Sequence, residues 1–168
     1  MLAEIFKYLV AFVAGFAVKW VDWIDDEMGG KEKKKYILAI FYGISIGYLI
    51  TIRSISELFL GALLAQVFAR KIDTLAHMIG FFVAILVAGA IGIPTQDLSF
   101  LFFFFMLALL DELAGLRMTN FDEERLMLPI GAFAVAILFS RWEYFIAIAL
   151  FDIGYLLFGF LSKRQKRR

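Results

Sequence analysis

The stretch Trp20–Lys35, WVDWIDDEMGGKEKKK, decides how the chain is read. It closes a strongly apolar run, turns acidic at Asp22, Asp25, Asp26 and Glu27, passes through Gly29 and Gly30, and ends in Lys31, Lys33, Lys34 and Lys35. Apolar residues giving way to acids, glycines and then lysines mark the end of a helical span and the start of a basic loop. If the helix continues through the acids, Asp22, Asp25 and Asp26 fall at i, i+3 and i+4 and share a face. Like charges at that spacing repel, and carboxylates at a helix C-terminus oppose its dipole. Water, the nearby Lys19 or a bound cation must offset that cost.

Composition puts the whole chain in the same setting. Its 168 residues are 62% hydrophobic, include 20 Phe, and have a mean hydropathy of +0.84. Soluble domains carry about 45–50% apolar residues, and a water-soluble fold of this length cannot hide so much apolar surface. Lipid is the expected solvent. There is no Cys, which excludes disulfides, thiolate metal sites and Cys nucleophiles. The single His, His77, leaves no His-rich metal site. Met1–Val18, with Lys7 early, has some features of a signal peptide. Its best small-x-small site, Gly15-Phe16-Ala17, lies inside the apolar run and Glu4 interrupts the start, so a retained first span is expected.

Working outward, the apolar segments predict seven helices: Leu2–Ile24, Tyr36–Ile52, Glu57–Ala69, His77–Ile93, Ser99–Leu116, Leu126–Ser140 and Glu143–Leu161. A span needs about 17–25 residues, so the third and sixth must borrow flanking residues. The runs are continuously apolar rather than alternating, which argues against a barrel. The expected fold is all-α, a polytopic transmembrane bundle of seven spans. Lys31, Lys33, Lys34, Lys35, Arg70, Lys71, Arg117, Arg125, Lys163, Arg164, Lys166, Arg167 and Arg168 then fall on one side, and only Arg53 and Arg141 on the other. By the positive-inside rule the N-terminus is outside and the C-terminus cytoplasmic. The basic tail, residues 163–168, suits anionic lipid headgroups, and an oligomer is compatible with the chain. No nucleic-acid partner is expected.

An internal echo sharpens the picture. Asp26-Glu27-Met28-Gly29-Gly30 and Asp111-Glu112-Leu113-Ala114-Gly115 both read D-E-x-x-G, 85 residues apart, each at the cytoplasmic end of a span. Ser56-Glu57-Leu58-Phe59 matches Trp142-Glu143-Tyr144-Phe145 at an offset of 86, which sets Gln66 opposite Asp152. This predicts a parallel three-one-three repeat: one unit over 1–72, a linker helix over 77–93, and a second unit over 97–162.

Two groups of residues carry candidate chemistry. Asp22, Asp25, Asp26 and Glu27 would face Asp111 and Glu112 across the pseudo-two-fold axis. Oxygen ligands without His or Cys select hard cations, Mg²⁺ or Ca²⁺. The competing reading is a solvated loop with Lys19 paired to Asp22 and glycines ending the helices. The second group is Asp152 with Gln66, an intramembrane acid and its repeat-related amide. A carboxylate at the bilayer centre costs at least about 2.5–3.5 kcal/mol and so faces the bundle interior with a partner. Lesser signals have local explanations. Thr119 and Asn120, with Asp122-Glu123-Glu124, suit the start of the sixth helix. Asp73 or Thr74 can cap the fourth, and Asp73 can orient His77. Glu57 and Glu143 complement helix N-termini, and Gly43 with Gly47 forms a GxxxG packing pair.

Haem, zinc and nucleotide motifs are absent. Aspartate-rich cytoplasmic motifs in two repeats are reminiscent of intramembrane prenyltransferases, but those chains are much longer and their spacing differs. The three-one-three plan is shared with some seven-helix sugar transporters, whose proline-centred motifs are missing here. Neither likeness extends beyond plan. Three functions remain: a small transporter or channel for a cation or proton-coupled solute, a Mg²⁺-dependent enzyme on a lipid or isoprenoid (di)phosphate, and a non-catalytic membrane subunit.

Overall fold

The computed structural model describes residues 2–28, 32–115 and 126–166. Among them are seven α-helices and no strand: α1 (Leu2–Glu27), α2 (Lys34–Ile50), α3 (Ser56–Phe68), α4 (Leu75–Ile91), α5 (Leu98–Gly115), α6 (Met127–Phe139) and α7 (Trp142–Lys166). The predicted limits hold to within two residues except at the C-terminal ends of α1 and α7, which run on through polar sequence. In α1 the extra turn carries the acids, and Lys35 from the start of α2 pairs with Asp25 there. Thr74 caps α4 by accepting from the His77 amide at 3.3 Å. Asp97 caps α5, accepting from Ser99 and Phe100. Gly92, at φ +106°, ends α4 two residues before Pro94.

Six helices connect in a ring in the order α1, α2, α3, α5, α6, α7, and α4 packs against α2 outside that ring, reaching the interior past the slight α2–α3 seam. The six seams of the ring interchange when α1–α3 are exchanged with α5–α7; α4 has no counterpart. Three seams are the tightest, α1–α7, α2–α4 and α3–α5, and a glycine sits in each. At α2–α4 the expected GxxxG pair is in contact: a Cβ on Gly43 would stand 2.5 Å from the Gly80 carbonyl oxygen, and one on Gly47 2.7 Å from that of Ala84. Backbones approach this closely only where a side chain is missing. Gly47→Leu is therefore expected to destabilise the protein by about 1–3 kcal/mol. Gly89, on the facing helix α4 with open space around it, accepts Ala without loss; melting of both variants in detergent checks the contrast.

Large and small apolar side chains share the interior: Leu49, Ile50, Leu58 and Phe104 are wholly buried alongside Ala11, Ala14, Ala39, Ala132 and Ala147. Large apolar ones cover the outside, among them Ile37, Leu86, Leu98 and Leu138, each more than two-thirds exposed. The Phe102–Phe105 run divides by helical rotation, with Phe102 outward and Phe104 fully buried. By length and composition one described helix, over Trp142–Lys163, is able to cross a membrane; Ser56–Phe68, Leu75–Ile91 and Met127–Phe139 are apolar but shorter.

Candidate functional site: a cavity with an acidic mouth

Every helix contributes to one cavity of about 480 Å³. Its mouth is polar because α1 carries acids past the end of its apolar run and the 69–74 loop brings Lys71 and Asp73 over the same space. Its depth is apolar, walled by Leu58, Phe59, Leu63, Phe81, Leu128 and Phe151.

Asp22 is the hub of the mouth. One carboxylate oxygen accepts from the Tyr155 hydroxyl at 2.9 Å and the other faces His77 Nε2 at 3.2 Å. That carboxylate places the ring proton on Nε2, which leaves Nδ1 to accept from the Tyr42 hydroxyl at 3.2 Å. Lys19 donates to the Tyr155 hydroxyl at 3.4 Å and stands 4.7 Å from its ring centre. Four helices thus meet through Asp22, which is more than a counter-charge for Lys19. The orienting acid of His77 is Asp22; Asp73 lines the cavity nearby.

The neighbouring acids differ from one another. Asp25 uses Oδ1 for Lys35, but its Oδ2 is buried without a hydrogen-bond partner. A buried acceptor left unfilled costs about 1–3 kcal/mol, and more when it is charged. Burial pushes the Asp26 carboxyl above its ordinary range, and the charge of Asp22 pushes it further. Glu27 lies beyond the mouth in a smaller cleft of about 90 Å³ beside Trp23 and Lys163.

The second half of the D-E-x-x-G echo arrives at the same place with other duties. Asp111 accepts from the Met127 and Leu128 amides at 2.7 and 2.8 Å and so caps α6. The cap that the sequence suggested, Thr119 and Asn120 with Asp122-Glu123-Glu124, lies outside the described residues. Glu112, 8% exposed, accepts from Gln66 Nε2 at 2.6 Å and faces Lys71 at 3.9 Å. Gln66 therefore lines the cavity bonded to Glu112, whereas Asp152 is not on its wall. Of the six expected cation ligands, Asp22, Asp25, Asp26, Asp111 and Glu112 share the cavity and Glu27 does not. Among the described residues no three Asp, Glu or His side chains are already gathered as a ligand set.

No known protein family, characterised protein or solved structure matches the chain. The chemistry has to be argued from the cavity itself.

Sequence reasoning missed Tyr42, Tyr155 and Lys35. The two tyrosines had a usable signal, since each places a hydroxyl that needs a partner inside an otherwise apolar helix. At the opposite end of the bundle, Glu57 is 4% exposed and accepts from the Tyr144 hydroxyl at 3.0 Å and the Asp97 amide at 3.2 Å. It is a buried fastening of α3 to α7 and the α5 N-terminus, beyond its favourable place in the helix dipole.

Proposed function

We propose that this is a multi-pass membrane protein that binds an amphiphile with a phosphorylated head, a lipid or isoprenoid (di)phosphate, and acts on it at the cytoplasmic face with a divalent cation. The observation that carries the reading is a single cavity with carboxylates at its mouth, an unfilled buried acceptor at Asp25 Oδ2, and apolar walls below. Seven apolar runs, the thirteen-to-two split of basic residues and the exposed Leu, Ile and Phe side chains support a seven-span bundle with an outside N-terminus and a cytoplasmic C-terminus. The interchangeable seams of the ring support a duplication of α1–α3 as α5–α7.

Asp25 Oδ2 and Asp26 are the groups that would hold the cation, with Mg²⁺ keeping several waters or phosphate oxygens in its shell. When bound, it supplies positive charge to phosphate oxygens that the acids would otherwise repel. Lys71 stands at the mouth as a direct phosphate partner. Asp22 holds His77 in one tautomer, with its ring between the Asp22 carboxylate and the Tyr42 hydroxyl, a geometry suited to general acid–base work.

The test combines stability with turnover. In detergent, Mg²⁺ together with a prenyl diphosphate is expected to raise the melting temperature, because binding to the native state stabilises it. Asp25→Asn and Asp26→Asn lose that increase and the release of (di)phosphate, while Asp152→Asn retains both. Full turnover in both mouth variants would sink the proposal.

A second reading, transport of a cation or a proton-coupled solute, has its own observation. The cavity reaches Leu58, next in sequence to the buried Glu57, so the acidic mouth and a second buried acid lie toward opposite ends of α3. Asp152 lies off the cavity wall and so adds no support to that reading. Mg²⁺-independent uptake by proteoliposomes, abolished in Glu57→Gln, would favour transport over the enzyme.

A further inference from the structure

The wall of the cavity between α3 and α4 is built differently from the others. Both helices line it, α3 through Phe59, Ala62, Leu63 and Gln66, and α4 through His77, Phe81 and Ala84. Yet α4 packs closely on α2 alone among the described helices, so α3 and α4 face each other across the cavity without a packed seam. The 69–74 loop joins them at the mouth. Below that loop no close seam joins the two helices.

Polarity falls in step along both sides of this gap. On α3 it passes from Gln66 to Leu63 to Phe59, and on α4 from His77 to Phe81 to Ala84. Each series spans seven residue steps, about two helical turns or roughly 10 Å. The helices are antiparallel and both lead away from the loop on the same side, so the polar ends lie at one level and the apolar ends at another. Ala62 and Ala84 put small side chains on the two walls, and Phe81 lies partly buried beside them. A slot with a charged top and an apolar length matches a molecule with a charged head and a hydrocarbon chain.

We propose that the cavity is loaded sideways from the membrane, one hydrocarbon chain lying in the slot between α3 and α4 and carrying its charged head up to Gln66, Lys71 and His77. The proposal rests on the preceding reading for the phosphate of the head, but not for the path of the chain. Substrates with a single long chain are then preferred, and the chain need not leave the bilayer for the head to reach the mouth.

The test uses the full chain in nanodiscs with dodecyl phosphate bearing a diazirine at its chain end, in Mg²⁺. Illumination and peptide mapping are expected to place the label on Phe59, Leu63 and Phe81. Excess unlabelled dodecyl phosphate competes, and butyl phosphate at the same concentration does so at least tenfold less well. Ala62→Trp fills the slot from one side and Phe81→Trp from the other. Whichever of them melts like the wild type loses the slot label while retaining Mg²⁺-dependent stabilisation by butyl phosphate. Label spread over outward residues such as Leu86 and Ile137, equally in the wild type and the plugged variant, would overturn the proposal. Slot labelling that persists in EDTA and in Asp26→Asn would uphold the slot and count against the cation-held phosphate, so the two readings fail separately.

Discussion

Replacing Gly15 by leucine is expected to abolish recovery of folded protein. Gly15 lies on α1 where that helix crosses α7, and a Cβ there would fall well inside van der Waals contact distance of the Phe151 carbonyl oxygen. Gly154 is its partner from the other side, directed at the Phe12 carbonyl oxygen. The obstructing atoms are backbone, so no rotamer change makes room, and α1 would have to move away along the most extensive seam of the ring. Overpacking of a filled core costs about 1–3 kcal/mol and occasionally more, and the backbone collision puts this site at the upper end. Lipid-immersed helices associate through such close packing, since lipid tails give them no hydrophobic drive to assemble. Fluorescence-detected gel filtration in mild detergent checks the outcome: Gly15→Leu and Gly154→Leu should each run in the void or not accumulate. A monodisperse Gly15→Leu protein melting at the wild-type temperature would show that the seam is looser than described.

Lys35→Met is expected to cost about 3–5 kcal/mol, the usual penalty for removing one partner of a buried ion pair. Lys35 is 7% exposed and pairs with Asp25, whose second oxygen is already without a donor. Without the lysine, the Asp25 charge remains buried beside Asp22 and Asp26. The loss comes from that stranded charge more than from the missing contact. Removing both charges in Lys35→Met/Asp25→Leu should therefore restore most of the stability, since an apolar pair of similar volume is often as stable as a buried ion pair. A double-mutant cycle on melting temperatures measures the coupling. Equal melting of Lys35→Met and the double variant would show that a stranded Asp25 charge is not the source of the loss. The cycle also bears on function, because the double variant removes Asp25 Oδ2 and should fold without responding to Mg²⁺.

The helices were legible because apolar runs in this chain are long and are broken mainly by charge, glycine or proline. Pro94 and the Gly43/Gly47 pair did in the structure what their chemistry suggests. The partners within the site were far less legible. Asp22 finds His77 and Tyr155, 55 and 133 residues away, where local spacing offered only Lys19. Periodicity along one helix says which side chains share a face, but not which foreign helix that face will meet.

Asp152 lies off the cavity wall that Gln66 lines, and register gives the reason. The offset of 86 set Asp152 opposite Gln66; the offset of 85, set by the D-E-x-x-G echo, puts Phe151 there, and Phe151 does line the cavity. One residue of register rotates a helix by about 100°, enough to turn Asp152 off the wall. The echo itself was a better guide to location than to role. It brought Asp26 and Asp111 to one cavity, but Asp111 spends both oxygens on the amides of α6.

The position of α4 outside the ring has a consequence for stoichiometry. A ring whose seams interchange pairwise would present two equal flanks, as two identical three-helix chains would if they assembled face to face. Such a dimer would hold two equivalent ligands or none. An odd helix between two such units would let both cross a membrane in the same orientation, and here it stands beside only one flank, against α2. The two flanks therefore cease to be equivalent, and a ligand entering by the α4 side would have no matching entrance opposite.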